Sequence, residues 1–136
     1  MTYLLDTNVV ISLLNNRPPA VRTHLEAAWV AGDKIALPAV VLFELFYGAS
    51  KSNRPTANRA AVLQLLEDEF EQENFDLEAA HAAGEIRADL ERAGQRIGEY
   101  DTLIAGQALA RGMTLVTANV REFSRVQGLK LEDWSQ

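Results

Sequence analysis

Three acidic residues occupy positions in which a carboxylate is unexpected. Asp6 directly follows a short apolar run, Thr2 to Leu5, and Glu44 interrupts the apolar segment from Ala39 to Tyr47. Asp101 stands at the start of a segment whose next turn is apolar. A carboxylate in apolar surroundings is either protonated or stabilised by a cation or by strong hydrogen-bond donors. If the three side chains converge in the fold, they can bind a divalent metal through oxygen ligands.

Each of these acids also has a simpler structural explanation. Asp6 and Asp101 stand where a helix N-cap is expected, and Glu44 can form an ion pair with an arginine. For Asp6, Asn8 is a rival cap. A cap at Asn8 would leave the Asp6 side chain free to point into the crevice at the end of the strand. Capping, ion pairing and metal binding are therefore all open at these positions.

A fourth polar position follows the apolar strand from Thr114 to Thr117. Asn119 and Glu122 have the spacing of a capping box, in which each side chain satisfies a backbone N–H of the other. They also lie at the sheet edge where Asp6 emerges if the two strands are parallel. This corner therefore suits either helix capping or a role in the same site.

The residues that are absent narrow the type of metal. The chain has no cysteine and only two histidines, His24 and His81, which we interpret as incidental. Carboxylate oxygens select Mg²⁺ or Mn²⁺ over zinc or copper. The lack of cysteine also excludes a disulfide scaffold and a cysteine nucleophile, and it is consistent with a cytoplasmic protein. No uncharged run approaches the ~18–20 residues of a membrane-spanning helix, so we expect no membrane segment.

The charge distribution does not exclude a nucleic-acid partner. The 136 residues carry a net charge of −6, which by itself argues against phosphate binding. However, seven acids and no base lie between Glu67 and Glu78. We interpret this block as a solvated helix face and the loop after it. The rest of the chain is close to neutral.

The hydrophobic pattern alternates between short strands and helices. Strands are predicted at residues 2–5, 35–37, 113–117 and 129–131, with at most a brief one at Phe75. Helices are predicted at residues 9–14, 20–31, 39–48, 59–72, 77–93 and 98–111, with Pro38 in the first turn of the third and polar turn residues at 50–58. Gly106 indicates close packing of the last helix. This alternation predicts an α/β fold with a parallel sheet covered on both faces, formed by a single domain of residues 1–136.

Four motifs together resemble those of a known family. They are Tyr3-Leu4-Leu5-Asp6-Thr7-Asn8; Pro38 with Glu44-Leu45 and Tyr47-Gly48-Ala49; Ile97-Gly98 with Asp101 and Leu103-Ile104-Ala105; and Thr114-Leu115-Val116-Thr117 with Asn119 and Arg121-Glu122-Phe123. In order and spacing the sequence resembles PIN-domain ribonucleases of the VapC toxin type, from bacterial toxin–antitoxin modules. The resemblance implies a PIN-like three-layer α/β/α sandwich with a short-stranded, mainly parallel central sheet.

The resemblance also implies roles for individual residues. Asp6, Glu44 and Asp101 match the acids with which the family binds Mg²⁺ or Mn²⁺. Many members have an aspartate where this chain has Asn119, so either Asn119 or Glu122 fills the fourth position of the catalytic set, and the number of metals stays open. Further polar support is expected from Thr7, Asn8 and Thr117.

The activity implied is that of a Mg²⁺-dependent endoribonuclease toxin. Asp6 and Asp101 would hold the metal, and Glu44 would orient or deprotonate the attacking water. The partners implied are the RNA substrate and a cognate VapB-type antitoxin. The antitoxin would insert its C-terminal segment across the acidic pocket. The apolar residues Ile11, Leu14 and Trp29 either receive its helix or pack into the core. A homodimer and a toxin–antitoxin hetero-oligomer are also implied.

Other functions fit the sequence less well. A receiver domain needs a lysine after a late strand, and none of Lys34, Lys51 and Lys130 has that spacing. A haloacid-dehalogenase-type phosphatase needs a second acid two residues after Asp6, where this chain has Asn8. The remaining alternative is a catalytically weak PIN-like module that binds RNA or protein without nuclease activity.

Overall fold

The computed structural model describes residues 1–136 and contains five strands and seven helices. The strands are β1 (Thr2–Leu5), β2 (Lys34–Pro38), β3 (Glu71–Glu73), β4 (Thr114–Val116) and β5 (Lys130–Glu132). The helices are α1 (Thr7–Asn15), α2 (Pro19–Val30), α3 (Ala39–Lys51), α4 (Pro55–Leu65), α5 (Leu77–Arg92), α6 (Glu99–Ala110) and α7 (Val120–Phe123).

The five strands form one sheet in the order β3-β2-β1-β4-β5, and every neighbouring pair is parallel. The strand order changes direction between β1 and β4, which pair with Leu5 opposite Val116. In an open parallel sheet, the carboxyl ends of the strands on either side of such a reversal form a crevice. The segments that follow β1 and β4 therefore meet at one point of the sheet edge.

Helices cover both faces of this sheet. Consecutive residues of the central strands are buried, which is possible only if both faces are covered: Leu4 and Leu5 in β1, Ile35 to Leu37 in β2, and Leu115 and Val116 in β4. The predicted three-layer α/β/α sandwich is confirmed, and the sheet is parallel throughout. No helix combines the length and the apolar composition that crossing a membrane requires.

The helix predicted at residues 59–72 is wrong at both ends. The helix α4 begins at Pro55 and ends at Leu65, so the predicted turn at 50–58 shrinks to the three residues between α3 and α4. Proline at the first helical position costs no hydrogen bond there. Beyond α4, the Trp29 indole donates to the Glu69 carbonyl oxygen at 3.2 Å and its ring packs on Phe70 at 5.2 Å. These tertiary contacts outweigh the local helical pattern.

The third strand and the acidic block also differ from the prediction. The strand β3 lies at Glu71–Glu73, before Phe75. The block is not a helix face, because Glu73 and Asp76 both form ion pairs with Arg111 at the end of α6, and Asp76 caps α5. Two of the seven acids thus tie β3 and α5 to α6.

Pro38 is the last residue of β2 and the N-cap residue of α3, not part of the first turn of that helix. The pairing of β2 with β1 ends at Ala36, so the missing N–H of Pro38 removes no hydrogen bond to β1.

The helices α5 and α6 pack closely at Gly106, as predicted. A Cβ atom at Gly106 would lie 2.6 Å from the Ala83 Cβ and 2.9 Å from the Ala79 carbonyl oxygen. Such contacts are shorter than any that relaxed side chains make, so a side chain at this position would force α5 and α6 apart. This contact fixes α6, the helix that carries Asp101, against α5.

We predict that Gly106→Ala lowers the free energy of unfolding by about 1–3 kcal/mol, because the added methyl group overpacks the contact between α5 and α6. Gly84→Ala is the matched control. Gly84 is exposed in α5 with no atom within 4 Å of an added Cβ, so this substitution should raise stability by about 0.5–1 kcal/mol. Urea denaturation followed by circular dichroism measures both changes, and a neutral Gly106→Ala would contradict the close packing.

Candidate active site

Asp6 lies at the centre of the acidic site, buried at the junction of β1 and α1. Its backbone N–H donates to the Val116 carbonyl oxygen at 3.0 Å, which ties the end of β1 to the end of β4. Its side chain is the N-cap of α1, with Oδ1 accepting from the Thr7 N–H at 2.8 Å. Burial raises the pKa of Asp6 above its ordinary value, against the lowering effect of hydrogen bonds from Thr117 and Thr7.

Asn8, the rival candidate for this cap, does not cap the helix. The helix α1 begins at Thr7, so Asn8 is already helical, and it is exposed. Asp6 therefore combines two roles that the sequence presented as alternatives. One oxygen caps the helix, and the other faces the crevice between β1 and β4.

Thr117 links the two strand ends through its hydroxyl group. The Thr117 Oγ1 donates to Asp6 Oδ2 at 2.8 Å and accepts from the Asn119 N–H at 2.9 Å. Thr117 is fully buried, so its hydroxyl group has no water to bind instead. The hydroxyl thus fixes both the Asp6 carboxylate and the turn that leads to Asn119.

Glu44 approaches Asp6 from α3 and is half-buried. The sequence suggested a helix that is apolar on every side, but only the stripe of Val41, Leu45 and Ala49 is buried, and Phe43 and Tyr47 are exposed. Glu44 Oε1 accepts a hydrogen bond from Thr7 Oγ1 at 2.8 Å. Glu44 forms no ion pair, which excludes the arginine partner considered from the sequence.

Glu122 and Asn119 form the opposite side of the site. Glu122 Oε1 accepts from the Gly98 N–H at 2.9 Å, and Oε2 accepts from Asn119 Nδ2 at 2.9 Å. Of the two alternatives for this corner, the capping box does not form, because the Asn119 side chain caps no backbone group of α7 and is bound to the Glu122 carboxylate instead. The Asn119 amide therefore holds an acid in place rather than a helix end.

Asp101 is half-buried in the first turn of α6, beside Gly98. A Cβ atom at Gly98 would lie 3.2 Å from Asp101 Oδ2, so this acid rests against the bare backbone of residue 98. Burial raises the pKa of Asp101 to about 7, and the neighbouring carboxylates of Asp6, Glu122 and Glu44 add to the increase. In contrast, hydrogen bonds from Gly98 and Asn119 lower the pKa of Glu122.

The donor set of this site is suited to a hard divalent cation. All the donors are carboxylate, hydroxyl or amide groups, and none of Asp6, Glu44 and Asp101 has an ion-pair partner. As the side chains stand, no three acids are arranged to hold one ion. Each carboxylate oxygen keeps a lone pair beyond its present hydrogen bond, so it is still able to coordinate a cation.

The chain matches the PIN domain family model over residues 3–129. The chain belongs to the VapC family of PIN-domain ribonucleases. Among relatives, the tRNA(fMet)-specific endonuclease VapC of Shigella flexneri is 41% identical over 135 residues, covering 99% of each chain. The ribonuclease VapC2 of Rickettsia felis is 38% identical over 136 residues, and the alignment spans the full length of both chains.

Solved structures of VapC-type proteins share the fold. The VapBC2 complex from Rickettsia felis, bound to a DNA fragment from its promoter, contains a chain with a TM-score of 0.90 and 37% identity, covering 98% of this chain and 99% of that one. The DNA-bound VapBC complex from Salmonella typhimurium gives a TM-score of 0.90 at 38% identity, covering 98% of each chain. The family resemblance found in the sequence is confirmed.

The VapC-type fold gathers most of the predicted residues and leaves some outside. Hydrogen bonds or electrostatic effects connect seven of the predicted residues: Asp6, Thr7, Glu44, Asp101, Thr117, Asn119 and Glu122. Asn8 is exposed to solvent. The motifs did not single out the Gly98 N–H as a donor. Neither histidine joins the site: His24 stacks on Trp134, and His81 pairs with Glu85.

We predict that Asp101→Asn stabilises the metal-free protein at pH 8 and that this advantage shrinks steadily as the pH falls from 7 towards 4. The folded protein binds a proton at Asp101 with a pKa of about 7, well above the ordinary 3.8, so the ionised form opposes folding above pH 7. As the pH falls below 7, protonation of Asp101 in the folded protein progressively removes this loss of stability. Guanidinium denaturation of both proteins in EDTA across this pH range measures the difference, and a pH-independent gap would contradict the crowding of acids.

Proposed function

We propose that this chain is a Mg²⁺- or Mn²⁺-dependent endoribonuclease toxin that hydrolyses RNA phosphodiester bonds. The observation that carries the proposal is the cluster of Asp6, Glu44 and Asp101, three acids from distant parts of the chain with no cation beside them. Repulsion between the carboxylates of such a cluster destabilises the fold. A bound divalent metal would remove that repulsion. PIN-domain nucleases generally use a divalent metal.

In the proposed mechanism each acid has a distinct role. Asp6 and Asp101 would hold the metal, which when bound would supply Lewis-acid activation of the scissile phosphate and of the attacking water. Glu44 orients the attacking water or takes its proton, and its carboxylate is positioned for this by the Thr7 hydroxyl group. Asn119 and Glu122 fill the fourth position together: Asn119 aligns Glu122, and Glu122 sets the charge around Asp101.

Transfer RNA is the first substrate to test. The relatives from Shigella flexneri and Salmonella typhimurium are both named tRNA(fMet)-specific endonucleases, at 41% and 38% identity across nearly the whole chain. We extend that substrate to this chain as a proposal, with residues 1–136 acting as a single PIN domain.

We also propose that a VapB-type antitoxin inhibits the enzyme through a groove between α1, α3 and α4. This groove encloses about 390 Å³, is lined by Ile11, Leu14, Leu45 and Val62 among others, and reaches Glu44. An antitoxin helix in the groove would lead its chain to the acids, where an arginine would be attracted. Trp29 does not line the groove, because it packs on Phe70. A homodimer and a toxin–antitoxin hetero-oligomer are part of this proposal, since the neighbouring structures are VapBC complexes.

We predict that purified protein cleaves tRNA with Mg²⁺ or Mn²⁺ and not in EDTA, and that Asp6→Asn or Asp101→Asn lowers the rate at least ~100-fold. Loss of the metal site removes several kcal/mol of transition-state stabilisation. Asp89→Asn is the matched control, because Asp89 is exposed on α5 and pairs with Arg92 away from the site. Gel analysis of end-labelled RNA measures the cleavage.

Metal-independent cleavage, or full activity in both variants, would contradict the mechanism. Binding of tRNA without any cleavage by the unmodified chain would instead favour the catalytically weak PIN-like module.

We predict that Thr117→Val weakens metal affinity and activity about 10- to 100-fold, whereas Thr117→Ser leaves both near the original values. Valine keeps the shape of threonine but removes the donor that holds Asp6 Oδ2. Titration of Mn²⁺ by calorimetry measures the affinity independently of catalysis. Equal Mn²⁺ affinities in the two variants would mean that the hydroxyl group does not position the acid.

A further inference from the structure

The segment that leads from α5 to α6 carries Gly98, on which two acids of the site depend. Gly98 donates its N–H to Glu122 Oε1 at 2.9 Å, and Asp101 rests against its backbone. The first part of the segment, residues 93–95, is held by hydrogen bonds to the last turns of α5. In contrast, residues 96 and 97 take part in no backbone–backbone hydrogen bond. Side chains must therefore hold the backbone that directly precedes Gly98.

The side chain that binds this backbone belongs to Arg125, an exposed residue between α7 and β5. Its Nη1 donates to the Arg96 carbonyl oxygen at 3.0 Å. Arg125 itself stands between Phe123 and Val126, which are both buried, and its N–H donates to the Glu122 carbonyl oxygen at 3.1 Å. The guanidinium group therefore extends from a part of the chain that the core holds in place.

Two hydrogen bonds thus join the same two segments of the chain. One runs from Arg125 to the Arg96 carbonyl oxygen, and the other runs from the Gly98 N–H to the Glu122 carboxylate. A segment that is bound at two points can neither slide nor rotate as freely as one bound at a single point. Without Arg125, only the bond to Glu122 would remain, and this acid would then follow any movement of the loop.

Arg125 binds a carbonyl group although acids lie close by. It forms no ion pair. Its charge still reaches Glu122, whose pKa is lowered chiefly by hydrogen bonds from Gly98 and Asn119 and to a smaller extent by the positive charge of Arg125. An arginine paired with a carboxylate would occupy oxygens that a metal needs. Bound to a carbonyl, Arg125 holds the loop and leaves the carboxylates free.

We propose that Arg125 is a positioning residue of the acidic site, which maintains the affinity for a divalent metal by holding the Arg96 carbonyl and with it the Gly98 N–H. This inference rests on the proposed metal-dependent function and adds to it a residue from outside the acidic cluster. A role through charge alone would have the opposite effect on metal affinity, because a positive charge near the carboxylates repels a divalent cation. The two roles therefore differ in the sign of one measurement.

The first test is titration of Mn²⁺ by calorimetry. Arg125→Gln removes the charge and shortens the side chain, so the bond to Arg96 is lost. We expect Mn²⁺ to bind about 10-fold more weakly, the lower end of the loss that follows removal of a group orienting a metal ligand. Arg125→Lys keeps the charge and a donor and should recover most of the affinity, since a single bond to a carbonyl does not require the planar guanidinium group.

Arg121→Gln is the matched control for the lost charge. Arg121 is exposed on α7, directly before Glu122, and forms no ion pair. This variant should not weaken Mn²⁺ binding.

The second test is amide hydrogen exchange of the metal-free protein in EDTA, followed by NMR. Arg125→Gln should accelerate exchange of the Gly98 N–H about 2- to 10-fold, the effect of weakening one hydrogen bond. Glu122→Ala removes the acceptor of that N–H and gives the upper limit of the effect. The Asp6 N–H, which donates to the Val116 carbonyl oxygen at 3.0 Å, reports the sheet edge and should exchange as before.

Two results would overturn the proposal. One is Mn²⁺ affinity of Arg125→Gln equal to or above that of the original chain, which would leave Arg125 a role through charge or none. The other is exchange at Gly98 that is unchanged, or that is accelerated equally at Asp6 because the whole fold is less stable. Weaker Mn²⁺ binding and faster Gly98 exchange, with no RNA cleavage by the original chain, would support the inference and overturn the proposed nuclease function.

Discussion

The buried hydrogen bond between the Asp6 carboxylate and the Thr117 hydroxyl group determines how the site is assembled. It closes the only place in the sheet where the strand order reverses, and it does so with an acid that burial disfavours. The bond connects residues 111 positions apart in the chain. Two chains of contacts extend from these two residues: Thr7 and Glu44 on the side of β1, and Asn119 and Glu122 on the side of β4. Gly98 then connects Glu122 to the first turn of α6, where Asp101 lies.

The crowding of acids makes the site a source of instability that the rest of the fold offsets. Desolvation and repulsion raise the pKa of Asp101, and the close packing at Gly106 keeps the helix of this acid from moving away. The ion pairs of Arg111 with Glu73 and Asp76 secure the far end of the same helix. A protein selected for stability alone would separate these charges. The arrangement is understandable if a cation occupies the site when the enzyme works.

The sequence was informative where local pattern and tertiary structure agree. The strands β1 and β4, the helix α5 with its Asp76 cap, and the acids at the sheet edge all follow from short apolar runs and from polar residues at their ends. The pattern failed at residues 66–73, where contacts of Trp29 with distant residues convert a helical repeat into a turn and an edge strand. It left Asn119 undecided, because helix capping and carboxylate binding require the same residue type at the same spacing, and only the tertiary contact of Glu122 with Gly98 distinguishes them.

Gly98 gives the site a weakness that no inspection of its acids would reveal. Its N–H holds one oxygen of Glu122, and its lack of a side chain leaves room for Asp101. Any other residue except proline would keep the N–H, but its Cβ would lie 3.2 Å from Asp101 Oδ2 and displace that oxygen by a few tenths of an ångström. The third acid can therefore be displaced in this chain while every acid is still present. When VapC-type chains are sorted into active and degenerate members from sequence, the residue three positions before the third acid should be read together with the acids.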